Sequence, residues 1–275
     1  MSDLVQKQVA LSDLLRELGR VVVAYSGGVD SAFLASVAHG VLGRDSLAVT
    51  AVSPSLARRE LEQAKDLAQK RGWNHRLIGT HEVAREEYAR NDADRCYWCK
   101  SELFETLRPL AHELGANILV GTNTDDLGDH RPGLKAADEN GVSAPMVAVG
   151  LSKQEIRELS RRAGLPTAEK PASPCLASRF AYGVRVTPEG LRRVEAAEEF
   201  VRGFGFEVLR VRDHGDLARI EVAADEVPRA AALSEKLTSG LKQLGYRYVT
   251  LDMQGFRSGA LNEVLPLPTI GSGPR

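Results

Sequence analysis

Residues 20–31 read Arg20-Val21-Val22-Val23-Ala24-Tyr25-Ser26-Gly27-Gly28-Val29-Asp30-Ser31. The first half is apolar and β-branched with no polar alternation, which predicts a short strand buried on both faces. Two glycines then break the run, and residues 32–42 resume with apolar residues at helical spacing. The order is strand, Gly-rich loop, helix. Such a turn points successive backbone N–H groups outward, and the helix N-terminus adds positive partial charge. Gly27 and Gly28 let the backbone approach a phosphate closely, Ser26 and Ser31 add hydroxyl donors, and Asp30 can hold Mg²⁺ or join the hydrogen bonds around a pyrophosphate. No Gly-Lys-Ser/Thr closes the loop, so it is not a Walker loop. Nor does it carry the GxGxxG dinucleotide fingerprint.

The alternation continues outward. Helical spacing covers residues 4–18 and 55–71, ended by Gly19 and Gly72, and residues 100–114, stopped by Gly115. Strands are predicted at 47–52, 75–78, 117–121 and 146–149, with a long polar loop over 122–140. Ser152 with Glu155 forms a capping box before a helix that runs to Ala163. This βαβα order predicts an α/β domain with a parallel, doubly wound sheet. Gly121, Thr122 and Asn123 follow a strand, where ligands of such sheets bind, so they are candidates to face a nucleotide; a turn with Asx caps is the alternative. Pro166, Pro171 and Pro174 then interrupt the pattern. Beyond them the order strand (184–186), helix (188–202), strands (207–212, 219–222), helix (227–244), strand (246–251) predicts a smaller α+β, ferredoxin-like domain. The expected domains are 1–170 and 171–275, with a disordered tail from about residue 266.

The 275 residues leave room for two domains. Lys and Arg total 36 against 37 Asp and Glu, a net charge of -1, which argues against a protein that coats nucleic acid or membranes. No apolar run approaches the roughly 20 residues of a membrane span, and the N-terminus carries no secretory signal, so a cytoplasmic location is expected. The three cysteines, Cys96, Cys99 and Cys175, are a poor disulfide framework. Cys96-Tyr97-Trp98-Cys99 reads as a redox pair, half a zinc site or a chance spacing; without a second CxxC a four-Cys zinc ribbon is excluded. Cys175 lies in a polar, Pro-fixed loop with Lys170 and Arg179 nearby, and cations lower a thiol pKa. It reads as a nucleophile or sulfur donor. Three thiolates can also hold an iron–sulfur cluster with one iron open, although four ligands are the norm. Three unrelated thiols are the remaining alternative.

The string SGGVDS at 26–31 resembles the signature of the pyrophosphate-loop ATPases, which split ATP between the α and β phosphates and adenylate a substrate oxygen. With RCYWCK at 95–100, PASPCLASRF at 171–180, and the stretches 128–137, 211–222 and 251–263, nearly the whole chain is similar to the sulfur transferases of lactate-racemase cofactor synthesis, the LarE family. The resemblance implies an adenine-nucleotide-hydrolase-like first domain and the use of ATP and Mg²⁺. The implied substrate is pyridinium-3,5-biscarboxylic acid mononucleotide, whose carboxylates are adenylated and converted to thiocarboxylates. One kind of member has only the cysteine of the PCLASR-type loop and gives up its sulfur. The other adds a CxxC, and its three cysteines bind a [4Fe–4S] cluster with an extra sulfide on the open iron. This chain has all three, which implies the second kind, with Cys96, Cys99 and Cys175 as ligands.

A sulfide source, hand-off to a nickel-insertion enzyme, and a homo-oligomer (a hexamer) follow from the same resemblance. Arg210 and Arg212, two apart on one strand, are expected to hold the substrate phosphate. Ser178 and Arg179 are expected to assist beside the sulfur-bearing loop, with Glu221, Asp216 and Asp252 offering a second metal or substrate site; for each of these residues, as for the two arginines, a solvated surface role is the alternative. Trp98 can stack on the pyridinium ring, with a core position as the even alternative. Competing readings are sacrificial transfer of the Cys175 sulfur, a tRNA or carrier thiolase, and a non-catalytic nucleotide or iron–sulfur sensor. Neither half of the chain is conspicuously basic, which disfavours RNA.

Overall fold

The structure is a computed structural model that describes residues 3–128, 132–257 and 259–264. The expected tail from about residue 266 lies outside the described residues. Two compact units emerge: residues 1–89 with 94–175, and residues 90–93 with 176 onward.

The first unit contains helices α1 (Asp3–Leu18) and α2 (Val29–Leu42) around strand β1 (Val21–Ala24), then β2 (Ser46–Val52), α3 (Arg58–Lys70) and β3 (His75–Gly79). It continues through α4 (Glu86–Ala89), α5 (Arg95–Leu114), β4 (Asn117–Val120), α6 (Pro132–Glu139), α7 (Pro145–Ala148) and α8 (Lys153–Arg162). The strands form one sheet in the order β3-β2-β1-β4, every pair parallel, with Val21 opposite Ser46 on one side and Asn117 on the other. The polarity pattern of β1 explains its central place. Val21 and Val23 join the cluster with Leu11, Phe33 and Leu34, whereas Val22 joins Leu107 and Ala111 of α5. Both faces are therefore covered by helices, as the unbroken apolar run requires.

Three local expectations are corrected in this unit. Residues 146–149 are not a strand: Pro145 opens the short helix α7, where a proline at the first turn loses no hydrogen bond. The expected loop 122–140 contains a 3₁₀ turn, Thr124–Gly128, and helix α6. Helix α5 begins at Arg95, not at Lys100, so the CxxC lies within its first two turns.

The second unit holds α9 (Pro188–Arg202), β5 (Leu209–Asp213), β6 (Leu217–Val222), α10 (Val227–Ala232), α11 (Ser234–Gln243) and β7 (Tyr248–Leu251). Its sheet order is β5-β6-β7, with β5–β6 antiparallel and β6–β7 parallel. The class is α+β as expected, but residues 184–186 form no strand. Phe180 makes a single bridge to Asp213 instead, and β7 pairs directly with β6. One face of this sheet carries Leu209, Val211, Ile220 and Val222 into a core with α9 and α11. Strand alternation puts Arg210, Arg212, Arg219 and Glu221 on the other face.

Asp213 is a buried charge with full support. It is 0% exposed and accepts from Arg193 Nη2 at 2.7 Å, Tyr246 Oη at 3.0 Å and the Gly215 amide at 2.8 Å. Removing one partner from such a group strands the others in a dry environment. Asp213→Ala should therefore destabilise the protein by about 3–5 kcal/mol. Denaturant unfolding checks this, and a loss below about 1 kcal/mol, the scale of one ordinary hydrogen bond, would contradict it.

Candidate active site

The loop between β1 and α2 is built from backbone outward. Gly27 has φ +75°, a conformation that side chains disfavour. The Ser26 amide donates to Ser31 Oγ at 3.1 Å, and the two serine hydroxyls lie 3.0 Å apart. Ser31 Oγ also reaches the Gly28 carbonyl at 3.3 Å. The serines thus brace the loop internally. Gly28, which has no side chain to cap with, stands at the N-cap of α2, and its own amide donates to Ser26 Oγ at 3.4 Å. A 14-residue helix with an uncapped N-terminus is suited to an anion.

Gly121 fixes this loop from the neighbouring strand. A Cβ at that position would lie 2.8 Å from Ser31 N and 2.9 Å from Ser31 Cα. Only glycine lets the end of β4 come so close to the first turn of α2. Asn123, 1% exposed, donates to Asp30 Oδ1 at 3.4 Å and accepts from the Asp125 amide at 3.0 Å. Thr122 is half-buried between them in sequence. Asp30 Oδ2 accepts from Lys153 Nζ at 2.5 Å. Lys153 is the first residue of α8, and its own amide donates to Asp125 Oδ2 at 3.0 Å. The Ser152–Glu155 capping box is present, and Glu155 also pairs with Lys7 of α1 at 2.8 Å. Lys170 Nζ donates to the Gly27 carbonyl at 3.1 Å and pairs with Glu60 at 2.7 Å. Two ammonium groups thus stand at a loop suited to phosphate. One carboxylate is enough for Mg²⁺ here, because that ion takes most of its ligands from phosphate and water.

Neither lysine was identified as part of the loop by sequence. Lys153 reads as an ordinary residue on a capped helix, and Lys170 stands 139 positions beyond Ser31. The only available signal was its place at the head of the proline-rich segment.

The cysteines lie in this same unit. Cys96 and Cys99 are one turn apart on α5, so they share a face. None of the three is in a disulfide. Burial pushes the Cys99 thiol up to about 12, and the charges of Cys175, Glu82 and Cys96 add to this while Lys100 opposes it. Glu82, 2% exposed, accepts from Ser53 Oγ and, at 2.7 Å, from Ser55 Oγ, both just beyond β2. Tyr88 of α4 is raised first by burial and then by Cys175 and Cys99. Among the described residues no three His, Cys, Asp or Glu side chains are arranged to hold a single metal ion. Cys96 and Cys175 both lie near enough to Cys99 to act on it electrostatically. Trp98 is half-buried, donates Nε1 to Asp94 Oδ2 at 3.0 Å and stands edge-on to Tyr97 at 5.1 Å.

In the second unit, Arg179 makes two bonds to Glu198, at 2.8 and 3.0 Å, and also donates to Ser178 Oγ at 3.1 Å. Arg212 pairs with Glu221 at 2.7 Å and donates to the Ser178 carbonyl at 3.1 Å. Arg219 bridges Glu221 at 3.0 Å and Asp252 at 3.6 Å. Asp216 pairs instead with Arg247 at 3.3 Å. Burial lowers the Arg210 guanidinium to about 10, and Arg179, Arg212 and Arg202 lower it further against the pull of Glu198. It remains protonated at neutral pH. Such crowded positive charge is relieved by an anion.

Known proteins resemble this chain in sequence. The family model for NAD synthase matches residues 3–95. The chain is 47% identical over 259 residues to an uncharacterized protein of Synechocystis sp., spanning 93% of this chain and 96% of that one. It is 36% identical over 267 residues to the pyridinium-3,5-bisthiocarboxylic acid mononucleotide synthase of Lactiplantibacillus plantarum, spanning 96% and 97%. A tRNA-specific 2-thiouridylase of Azorhizobium caulinodans is 31% identical over 196 residues, which span 56% of this chain and 49% of that protein.

Gly121→Ala tests the close approach of β4 to the loop. The new methyl meets backbone, not a movable side chain, so the first turn of α2 must shift. ATP affinity should fall roughly tenfold or more, with a stability loss of about 1–3 kcal/mol. Calorimetric titration and thermal melting check both. Wild-type affinity in a folded variant would contradict this account of the loop.

Proposed function

We infer the reaction from the premise that the chain belongs to the pyridinium-3,5-bisthiocarboxylic acid mononucleotide synthase family and is an ATP-using sulfur transferase. We propose that it acts on pyridinium-3,5-biscarboxylic acid mononucleotide and makes its two thiocarboxylates in turn. The observation that carries this reading is the occurrence, in one unit, of an uncapped helix N-terminus beside Asp30 and of three free cysteines, two of them one turn apart on α5.

A carboxylate is a poor electrophile, and adenylation gives it a leaving group. The backbone of residues 26–31 and the first turn of α2 hold the ATP phosphates, while Asp30 holds Mg²⁺. Lys153 and Lys170 add positive charge where pyrophosphate departs. Arg210 and Arg212 hold the substrate phosphate, Ser178 and Arg179 keep Arg212 and Glu198 in place, and Trp98 offers an aromatic face to the cationic ring. Glu221 and Asp252 orient Arg212 and Arg219 rather than bind substrate directly. Cys96, Cys99 and Cys175 would hold a [4Fe–4S] cluster, which supplies sulfide for transfer when bound. In its absence the Cys99 sulfur keeps its proton at neutral pH, and ligation expels it. A sulfide donor, delivery of the product to a nickel-inserting enzyme, a homo-oligomeric state and a cytoplasmic location complete the proposal. Among the described residues no helix is long and apolar enough to cross a membrane.

Anaerobic reconstitution with iron and sulfide tests the reading. The expected result is about four irons per chain, lost on changing Cys96, Cys99 or Cys175 to Ala. AMP, pyrophosphate and more than one thiocarboxylate per chain should form. One sulfur per chain with dehydroalanine at position 175 would replace the cluster with sacrificial transfer. ATP binding with no pyrophosphate release on the pyridinium substrate would overturn the enzyme reading itself.

A further inference from the structure

We propose that Lys170 is a positioning residue that fastens the segment bearing Cys175 to the phosphate loop, so that sulfur is delivered where the adenylate forms. The inference rests on the proposed reaction for its catalytic consequence, but the clamp stands on geometry alone.

Lys170 has three attachments. Its ammonium donates to the Gly27 carbonyl at 3.1 Å and pairs with Glu60 of α3 at 2.7 Å. Its amide donates to the Thr167 carbonyl at 3.0 Å. Its own carbonyl accepts from Arg157 Nη2 at 3.0 Å, and Arg157 also holds the Ala168 carbonyl. The side chain is 15% exposed, and that of Glu60 19%, so the pair is largely shielded from water. A shielded pair with a backbone hydrogen bond holds a fixed position better than an exposed ion pair does.

The bond to Gly27 does more than tether. A trans peptide is planar, with C=O and N–H on opposite sides. Fixing the Gly27 carbonyl therefore fixes the direction of the Gly28 N–H, which donates to Ser26 Oγ at 3.4 Å inside the loop. Only five positions separate Lys170 from Cys175, and Pro171 and Pro174 lie among them. Each proline locks φ, so this link is stiffer than an ordinary loop. One ammonium thus holds both the backbone of the phosphate loop and the root of a stiff arm that ends at Cys175. Helix α8 supports the arrangement from both ends, with Lys153 on Asp30 and, one turn later, Arg157 on the carbonyl of Lys170.

The consequence is a matter of competition. In productive transfer, sulfur attacks the activated carbonyl carbon, a C–S bond forms, the C–O bond to the adenylate breaks, and AMP leaves with the electron pair. In the wasteful path, water attacks the same carbon, regenerating carboxylate and AMP and releasing protons to solvent. Misplacing the sulfur by about 1 Å can cost on the order of a hundredfold in rate, whereas water needs no placement.

Two readouts test this on the full-length protein, with Lys170→Met, Lys170→Arg and Arg157→Met, each first checked for wild-type melting. In the iron-free chain, iodoacetamide labelling followed by mass spectrometry should modify Cys175 several-fold faster in Lys170→Met and Arg157→Met than in the wild type. Cys96 should label at an unchanged rate, and Lys170→Arg should restore much of the protection. In the reconstituted enzyme, AMP formed per thiocarboxylate should rise roughly tenfold in the two Met variants. Wild-type labelling of Cys175 in both Met variants would overturn the clamp, whatever the wild type catalyses. Labelling as expected with an unchanged AMP-to-thiocarboxylate ratio would overturn the catalytic consequence. A wild type that makes no thiocarboxylate would count against the proposed function, and the labelling arm would still decide the clamp.

Discussion

An uncapped helix N-terminus, pressed against the end of a neighbouring strand, is the constraint from which the rest of the first unit follows. The N-cap residue of helix α2 is Gly28, which has no side chain to offer the first amides. Unsatisfied donors at a helix start are a cost unless water or a ligand meets them. β1 leads into the loop because its valines are buried on both faces, which places the turn at the carboxyl edge of the sheet. Gly121 closes the neighbouring strand onto Ser31 so tightly that no side chain fits. The anion site is therefore shaped by backbone, with the serines bracing it and the charged groups standing around it.

Those charged groups are arranged in pairs. Asp30 meets Lys153, and Lys170 meets Glu60. The pairing keeps either charge from standing alone in a partly dry site, where an unpaired ion is costly. It also holds two cations beside a loop that would otherwise present only partial charges. The second unit solves the same problem more densely. Arg179 with Glu198, Arg212 with Glu221, and Arg193 with Asp213 are all largely buried. Burial first, and then the nearby guanidiniums of Arg179, Arg212 and Arg202, lower the Arg210 guanidinium against the pull of Glu198.

The thiols show how burial controls chemistry. Cys96 is exposed, whereas Cys99, one turn on, is half-buried with Glu82, Tyr88 and Cys175 near it. A Cys99 thiol in such surroundings holds its proton and is a weak nucleophile. Ligation to metal reverses this, because metal binds the deprotonated form. The pair differs in exposure although the sequence presents the two cysteines alike.

Local sequence was sufficient where the physics is local. The valine run of β1, the glycine turn, the capping box at Ser152 and the terminating glycines each act within a few residues, and the fold class followed from their order. The same reasoning named Asp30, Asn123, Gly121 and the three cysteines as candidates. It misread residues 146–149, because a short apolar run after a proline suits strand and helix alike. It also expected a strand at 184–186, where β7 takes the place beside β6 through pairing across the chain. Lys153, and the place of Lys170 at the phosphate loop as opposed to beside Cys175, escaped notice for a related reason. A lysine declares no partner in sequence, and its reach to Asp30 or to the Gly27 carbonyl depends on how helices and loops more than 100 residues apart are brought together. Sequence by itself determined the order of most strands and helices and which residue types stand at the loop. Tertiary packing alone decided which charges pair and which thiols are shielded from water, because those outcomes depend on distance and dielectric, not on neighbours along the chain.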